Sequence, residues 1–142
     1  MNTRAALLLI AIMVTAPLPS LGQNMLLTSP EKIEKYVKEI YPGMVQEKNF
    51  RNEHYRYLKF TDSSNKSRTI LFFLTDRDKC NAIRYIYESG AKDEIVADLN
   101  KEYRYTGDNR WYDLDSWQKA SVELVDEKWF ITVTIKLAET GN

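Results

Sequence analysis

The residues best able to carry chemistry are few and scattered. His54 is the only histidine and Cys80 the only cysteine. A Ser-His-Asp or Cys-His mechanism would have to run through that one imidazole, which lies among aromatics in a strand-like stretch, His54–Phe60, with no nucleophile motif around it. His54 therefore reads as a surface or strand-edge side chain. One His and one Cys cannot supply the Cys and His sets that hold zinc. The acidic pairs Asp76/Asp78 and Asp113/Asp115 lack the mid-loop glycine, the extra oxygen donors and the closing glutamate of a calcium loop, and read as turn-forming aspartates. The chain carries no P-loop, dinucleotide-binding glycine pattern, G-x-S-x-G or H-E-x-x-H. No metal, cofactor or catalytic set is expected.

Aromatic residues are the one suggestive group. The chain has 9 Tyr, 5 Phe and 3 Trp, and most must serve the core, because aromatics bury large apolar areas. Trp111, Tyr112 and Trp117 stand apart in a polar, turn-rich stretch, GDNRWYDLDSWQ. Exposed together on a sheet face or its rim, they would suit a protein partner or a sugar ring. Tyr55 and Tyr57 alternate along His54–Phe60 and could extend the same surface. These five are the candidate partner-binding residues, with packing as the competing role.

Where such a surface would work is indicated by the N-terminus. Met1–Arg4 is short and positively charged, Ala5–Val14 is an unbroken apolar run, and Pro17, Pro19, Ser20 and Gly22 form a small-residue, helix-breaking end before Gln23. These are the three regions of a secretory signal peptide in order. The apolar run is about half the roughly 20 residues a spanning helix needs, and no cysteine sits at the cleavage site to accept a lipid. The expected domains are a signal peptide, 1–22, and a single domain, 23–142, that is soluble in the periplasm or outside the cell, with no integral membrane segment after cleavage. The 20 Lys and Arg against 20 Asp and Glu become 19 against 20 once Arg4 is removed. A neutral exported chain is no nucleic-acid binder. One cysteine allows no internal disulfide, so the fold relies on its core; Cys80 is either buried as a small hydrophobe or paired between chains.

The positioning elements follow from periodicity. Thr28-Ser29-Pro30-Glu31 opens a helix over 30–41, with Thr or Ser as N-cap and Glu31 placed for a capping box. Ile33, Tyr36, Val37, Ile40 and Tyr41 share one face, and Pro42-Gly43 ends it. A second helix spans 93–103, with Ile95, Val96, Leu99 and Tyr103. Strands are predicted near 45–50 and over 54–60, 69–74, 80–87, 111–114, 119–125 and 129–136. The run TILFFL at 69–74 reads as a central strand buried on both faces, and Thr106-Gly107-Asp108-Asn109 reads as a turn.

Short turns between successive strands favour antiparallel pairing. The expected fold is α+β, two amphipathic helices on one face of a mostly antiparallel sheet. Ile33 and Ile95 match at the same offset as Tyr41 and Tyr103, which raises the alternative of two αβββ units with 80–87 between them. This order of elements resembles several αβββ-type families, including small periplasmic inhibitor-like and PepSY-like domains, a resemblance that transfers no site residue. The expected function is a non-enzymatic binding module that uses an exposed sheet face for another exported protein or a glycan. The alternatives are a small hydrolase or lyase working through carboxylates and tyrosines, and a structural subunit of an envelope assembly.

Overall fold

A computed structural model describes residues 23–48, 55–62, 68–113 and 119–139. The signal-peptide region, His54, Asp115 and Trp117 lie outside them. The chain folds in the order α1 (Pro30–Ile40), β1 (Met44–Glu47), β2 (Arg56–Asp62), β3 (Thr69–Leu74), β4 (Cys80–Glu88), α2 (Lys92–Glu102), β5 (Arg104–Gly107), β6 (Arg110–Asp113), β7 (Ala120–Asp126) and β8 (Phe130–Leu137). All eight strands form one antiparallel sheet in the order β1-β2-β3-β4-β8-β7-β6-β5. Two four-strand meanders are thus joined edge to edge by β4 and β8. The α+β class with an antiparallel sheet is as expected.

Four strands follow each helix, where the sequence predicted four after the first and three after the second. The additional strand is β5, paired to β6 through a turn tighter than the sequence pattern indicated. Asp108 and Asn109 both adopt positive φ, 51° and 55°, the conformation of a two-residue hairpin turn that Asp and Asn tolerate. Thr106 and Gly107 are thereby released into the strand.

Strand register sorts the side chains cleanly. Phe60–Ile70–Tyr85–Val133–Leu124 and Phe72–Ile83–Ile135–Val122–Trp111 form two rows across the sheet, and every member is buried. Ile33 and Val37 of α1, with Ile95 and Leu99 of α2, belong to the same core. β3 departs from the expectation of burial on both faces: Ile70 and Phe72 are buried, whereas Leu71 and Phe73 are only half-buried on the other side.

The Ser29 backbone is the N-cap of α1, but its hydroxyl makes no cap hydrogen bond, and the Thr28 hydroxyl donates back to the Met25 carbonyl at 2.6 Å. The stretch before α1 is part of the fold. Leu26 is fully buried, Leu27 N–H donates to the Cys80 carbonyl, and Cys80 N–H donates to the Thr28 carbonyl. Near the start of β4 the pairing with β3 shifts register between Phe73 and Leu74. This irregularity lets Cys80 turn into the core although it is two residues from Ala82, which faces the other way; an extra residue in one strand reverses the alternation.

Candidate functional site

The alternation that fills the core leaves the opposite face of the sheet without a single fully buried side chain among the described residues. That face is hollowed into an open trough of about 1280 Å³. Register divides it into bands. One is uncharged and rich in β-branched residues, Val45–Thr61–Thr69–Ile86–Thr132–Val125. The next is polar, Glu47–Lys59–Leu71–Arg84–Thr134–Glu123–Arg110. The third carries aromatics on either side of a lysine flanked by two small residues and ends on an arginine, Tyr57–Phe73–Ala82–Lys136–Ser121–Tyr112–Arg104. Beyond the uncharged band, Phe130 (41% exposed) and Trp129 (76%) stand at the β7–β8 turn.

The polar band is stitched by ion pairs at its two ends. Lys59 Nζ lies 2.9 Å from Glu47 Oε2, and the Thr61 hydroxyl donates to the same carboxylate at 2.9 Å. Arg110 Nη2 lies 3.7 Å from Glu123 Oε1. Arg84 in the centre makes different contacts. Its Nε–H donates to the Thr134 hydroxyl at 3.2 Å, and its guanidinium carbon sits 5.4 Å from the Phe73 ring centroid, a cation–π arrangement. The Phe73 ring in turn meets Tyr57 at 6.0 Å.

Three of the five candidate binding residues lie on this face, Tyr57 and Tyr112 five strands apart. Tyr57 and Tyr112 lie half-buried on it, and Tyr55, 62% exposed, stands at the rim of the trough. Trp111 does not join them. It is 1% exposed, on the core side of β6, with its Nε1–H donating to Asn100 Oδ1 of α2 at 2.8 Å. Its neighbours in sequence are polar, but its place in the strand points it inward. Phe73, Arg84, Phe130 and Lys136 belong to the open face and were not singled out in the sequence. Each alternates with a core residue of its own strand, and that alternation is the signal that could have found them. Trp129, the first residue of the predicted strand 129–136, instead falls in the turn before β8. Lys128 holds a positive φ of 67° beside it, and Lys128 Nζ lies 5.2 Å from its ring.

The core side carries a cluster of tyrosines. Tyr36 and Tyr41 meet edge-on at 6.3 Å, and Tyr85 and Tyr87 stack at 6.1 Å. The Tyr103 hydroxyl is buried with no hydrogen-bond partner among the described residues. Burial pushes the hydroxyls of Tyr41, Tyr85, Tyr87 and Tyr103 above their ordinary values, so they stay protonated at neutral pH and lack the activation a tyrosine base requires. The same cause pushes the Cys80 thiol up to about 12, which removes the thiolate a nucleophile needs. Glu31 is shifted down, first by a hydrogen bond from backbone and then by one from the Ser29 side chain. That stabilises the carboxylate, the reverse of what a general acid needs.

Asp76 and Asp78 lie in the β3–β4 turn. Asp78 N–H donates to the Thr75 carbonyl and its carboxylate pairs with Arg56. No group of three or more His, Cys, Asp or Glu is placed to hold a metal ion among the described residues, and none of their helices is long and apolar enough to cross a membrane. No protein-family model, characterised protein or solved structure matches this chain.

Proposed function

We propose that this chain is an exported binding module that holds another protein against the uncovered face of its sheet, in the periplasm or outside the cell. The observation that carries the proposal is the hollowed face itself, with Tyr57, Leu71, Phe73, Ile86 and Tyr112 half-buried and Phe130 and Val125 exposed. Apolar side chains in a concave, polar-rimmed surface are the usual anchors of a protein interface. Charged side chains spread among them supply register and selectivity.

The layering supports the same reading. We read both helices as covering the side of the inward rows and leaving the other open; in support, buried residues of both helices share one core with those rows. We read the chain as two units, each a helix followed by four strands, related across the β4–β8 junction. In support, Tyr41 and Tyr103 each follow their helix with a backbone N–H donated at 2.8 Å, to Val37 and to Leu99 respectively. Two such units side by side give a sheet twice as wide as either half, and hence a face large enough for a protein partner. Export is read from residues 1–22, and Leu26, close behind them in sequence, lies in the core.

The test is site-specific photo-crosslinking in the native envelope fraction. A benzophenone side chain at Phe130 or Phe73 should yield discrete adducts, while the same group at Glu34, an exposed position of α1, should yield none. Adducts of equal pattern from both sides, or none from the open face, would remove this function. A stoichiometric, stable complex that persists through purification would point instead to a structural subunit.

A further inference from the structure

The aromatic band of the open face contains a notch. Lys136 is flanked by Ala82 on β4 and Ser121 on β7, two of the smallest side chains. Beyond them stand the rings of Phe73 and Tyr112. Four strand spacings separate those two rings, roughly 19 Å at about 4.8 Å per strand. Lys136 thus rises from low ground between two aromatic walls, and all of these residues line the trough.

Charge singles out the same place. Lys59 and Arg110, on the flanks, are each neutralised by a carboxylate. Neither Lys136 nor Arg84 has an ion pair among the described residues. They are diagonal neighbours across β4 and β8, since Arg84 opposes Thr134 and Ala82 opposes Lys136. Diagonal positions lie about 7–8 Å apart. Two like charges at that spacing repel. Glu123 stands diagonal to Lys136 on the other side, across β7 and β8, but its carboxylate is turned to Arg110; a partner carboxylate seated between Lys136 and Arg84 relieves their repulsion while gaining two charge-assisted hydrogen bonds. The chain as a whole has a net charge of +0, so this is a local feature and not a general attraction for anions.

We propose that the notch receives an acidic side chain, Asp or Glu, from a protein partner, seated between Lys136 and Arg84 with apolar residues on either side of it against Phe73 and Tyr112. The inference rests on the open face being the binding surface and adds the chemistry that the partner must present. A segment of polypeptide is favoured over a small acid because the walls are far apart and the trough is open along its length, so one carboxylate alone leaves most of the apolar surface uncovered.

The test uses the full exported chain and a designed set of fluorescent 15-residue peptides. Each has a central Glu or Asp flanked by Phe, Leu and Tyr, and is compared with its Gln, Asn and Lys counterparts by fluorescence anisotropy. Acid-centred peptides should bind at least about tenfold more tightly, the scale expected for truncating one member of a desolvated charge pair. K136A should remove that preference, K136R should keep it, and A82W should block binding by filling the notch. K35A, at an exposed position of α1 away from the sheet face, should leave binding unchanged. Thermal unfolding of each variant verifies that it is folded.

Equal binding of acid- and amide-centred peptides overturns the proposal, as does a preference that survives K136A. Free N-acetylglutamate competing as well as the peptides would make the ligand a small acid and overturns it too. Should F130R abolish peptide binding while the Lys136 and Ala82 variants have no effect, the notch is excluded but the open face stands as the binding surface. Absence of binding by every peptide overturns the notch as an acid receptor, and absence of open-face crosslinks as well excludes the open face too.

Discussion

The two faces of the sheet are built from the same strands and obey opposite rules. On the core side, Phe72, Ile83, Ile135, Val122 and Trp111 run in one row without a charge. On the open side the adjacent polar row carries charges on β1, β2, β4, β6 and β7. The first is close-packed, so its energy depends on shape. The second remains in contact with water, so single contacts there contribute little to folding and are available for recognition. Stability and binding are therefore separable by strand parity: moving one residue along a strand moves from one property to the other.

The largest effect should come from the core side. Trp111→Ala should cost about 3–5 kcal/mol in urea unfolding, while Tyr112→Ala, one residue away on the open face, should cost far less. Near-equal losses would break the separation of the faces. Asn100→Ala should cost about 1–3 kcal/mol by leaving the buried Trp111 N–H without its acceptor, and pairing it with Trp111→Phe in a double-mutant cycle isolates that hydrogen bond.

Cys80 tests the core side by pH. Burial pushes it from the ordinary thiol value of 9.0 up to about 12, so the folded state holds the thiol proton more tightly than the unfolded chain does. Its stabilising contribution is complete below about pH 9 and is lost as pH rises toward the folded value. Cys80→Ala should therefore flatten the fall in stability across that alkaline window, as followed by unfolding at fixed urea. The wild-type thiol should resist alkylation by iodoacetamide until the chain unfolds.

Open-face contacts should give the smallest changes. The Lys59–Glu47 coupling should be about 0.2–1 kcal/mol in a double-mutant cycle and should weaken with salt, and Lys136→Ala should alter stability by no more than about 0.5 kcal/mol. A large destabilisation by Lys136→Ala would mean that the notch serves folding.

Much of this division was legible in the residues. The 3.6-residue spacing of Ile33 and Val37 marked α1, and the alternation through Ile131, Val133 and Ile135 marked β8, because each element has one buried side and one wet side. β5 was not legible. Its residues Arg104, Tyr105 and Thr106 are exposed, so an edge strand of four residues leaves no alternation to detect, and a two-residue turn at Asp108 and Asn109 hid inside a longer turn-like cluster. The inward side of Trp111 was not legible from its polar neighbours, which left packing and exposure both open. In a strand, neighbours in sequence lie on opposite faces, so they carry no information about its burial.

By itself the sequence determined the α+β class and the helix boundaries to within a residue or so. These depend on local composition and on periods of two and 3.6, both of which are read within a short window. Tertiary structure decided what depends on partners distant in the chain. It joined β4 to β8, turned Cys80 inward through an irregular register, withdrew Trp111 from the surface and put Arg84 and Lys136 side by side in an aromatic trough. Register between strands some fifty residues apart is set by how the whole core packs, since a slip of one residue would exchange the two faces.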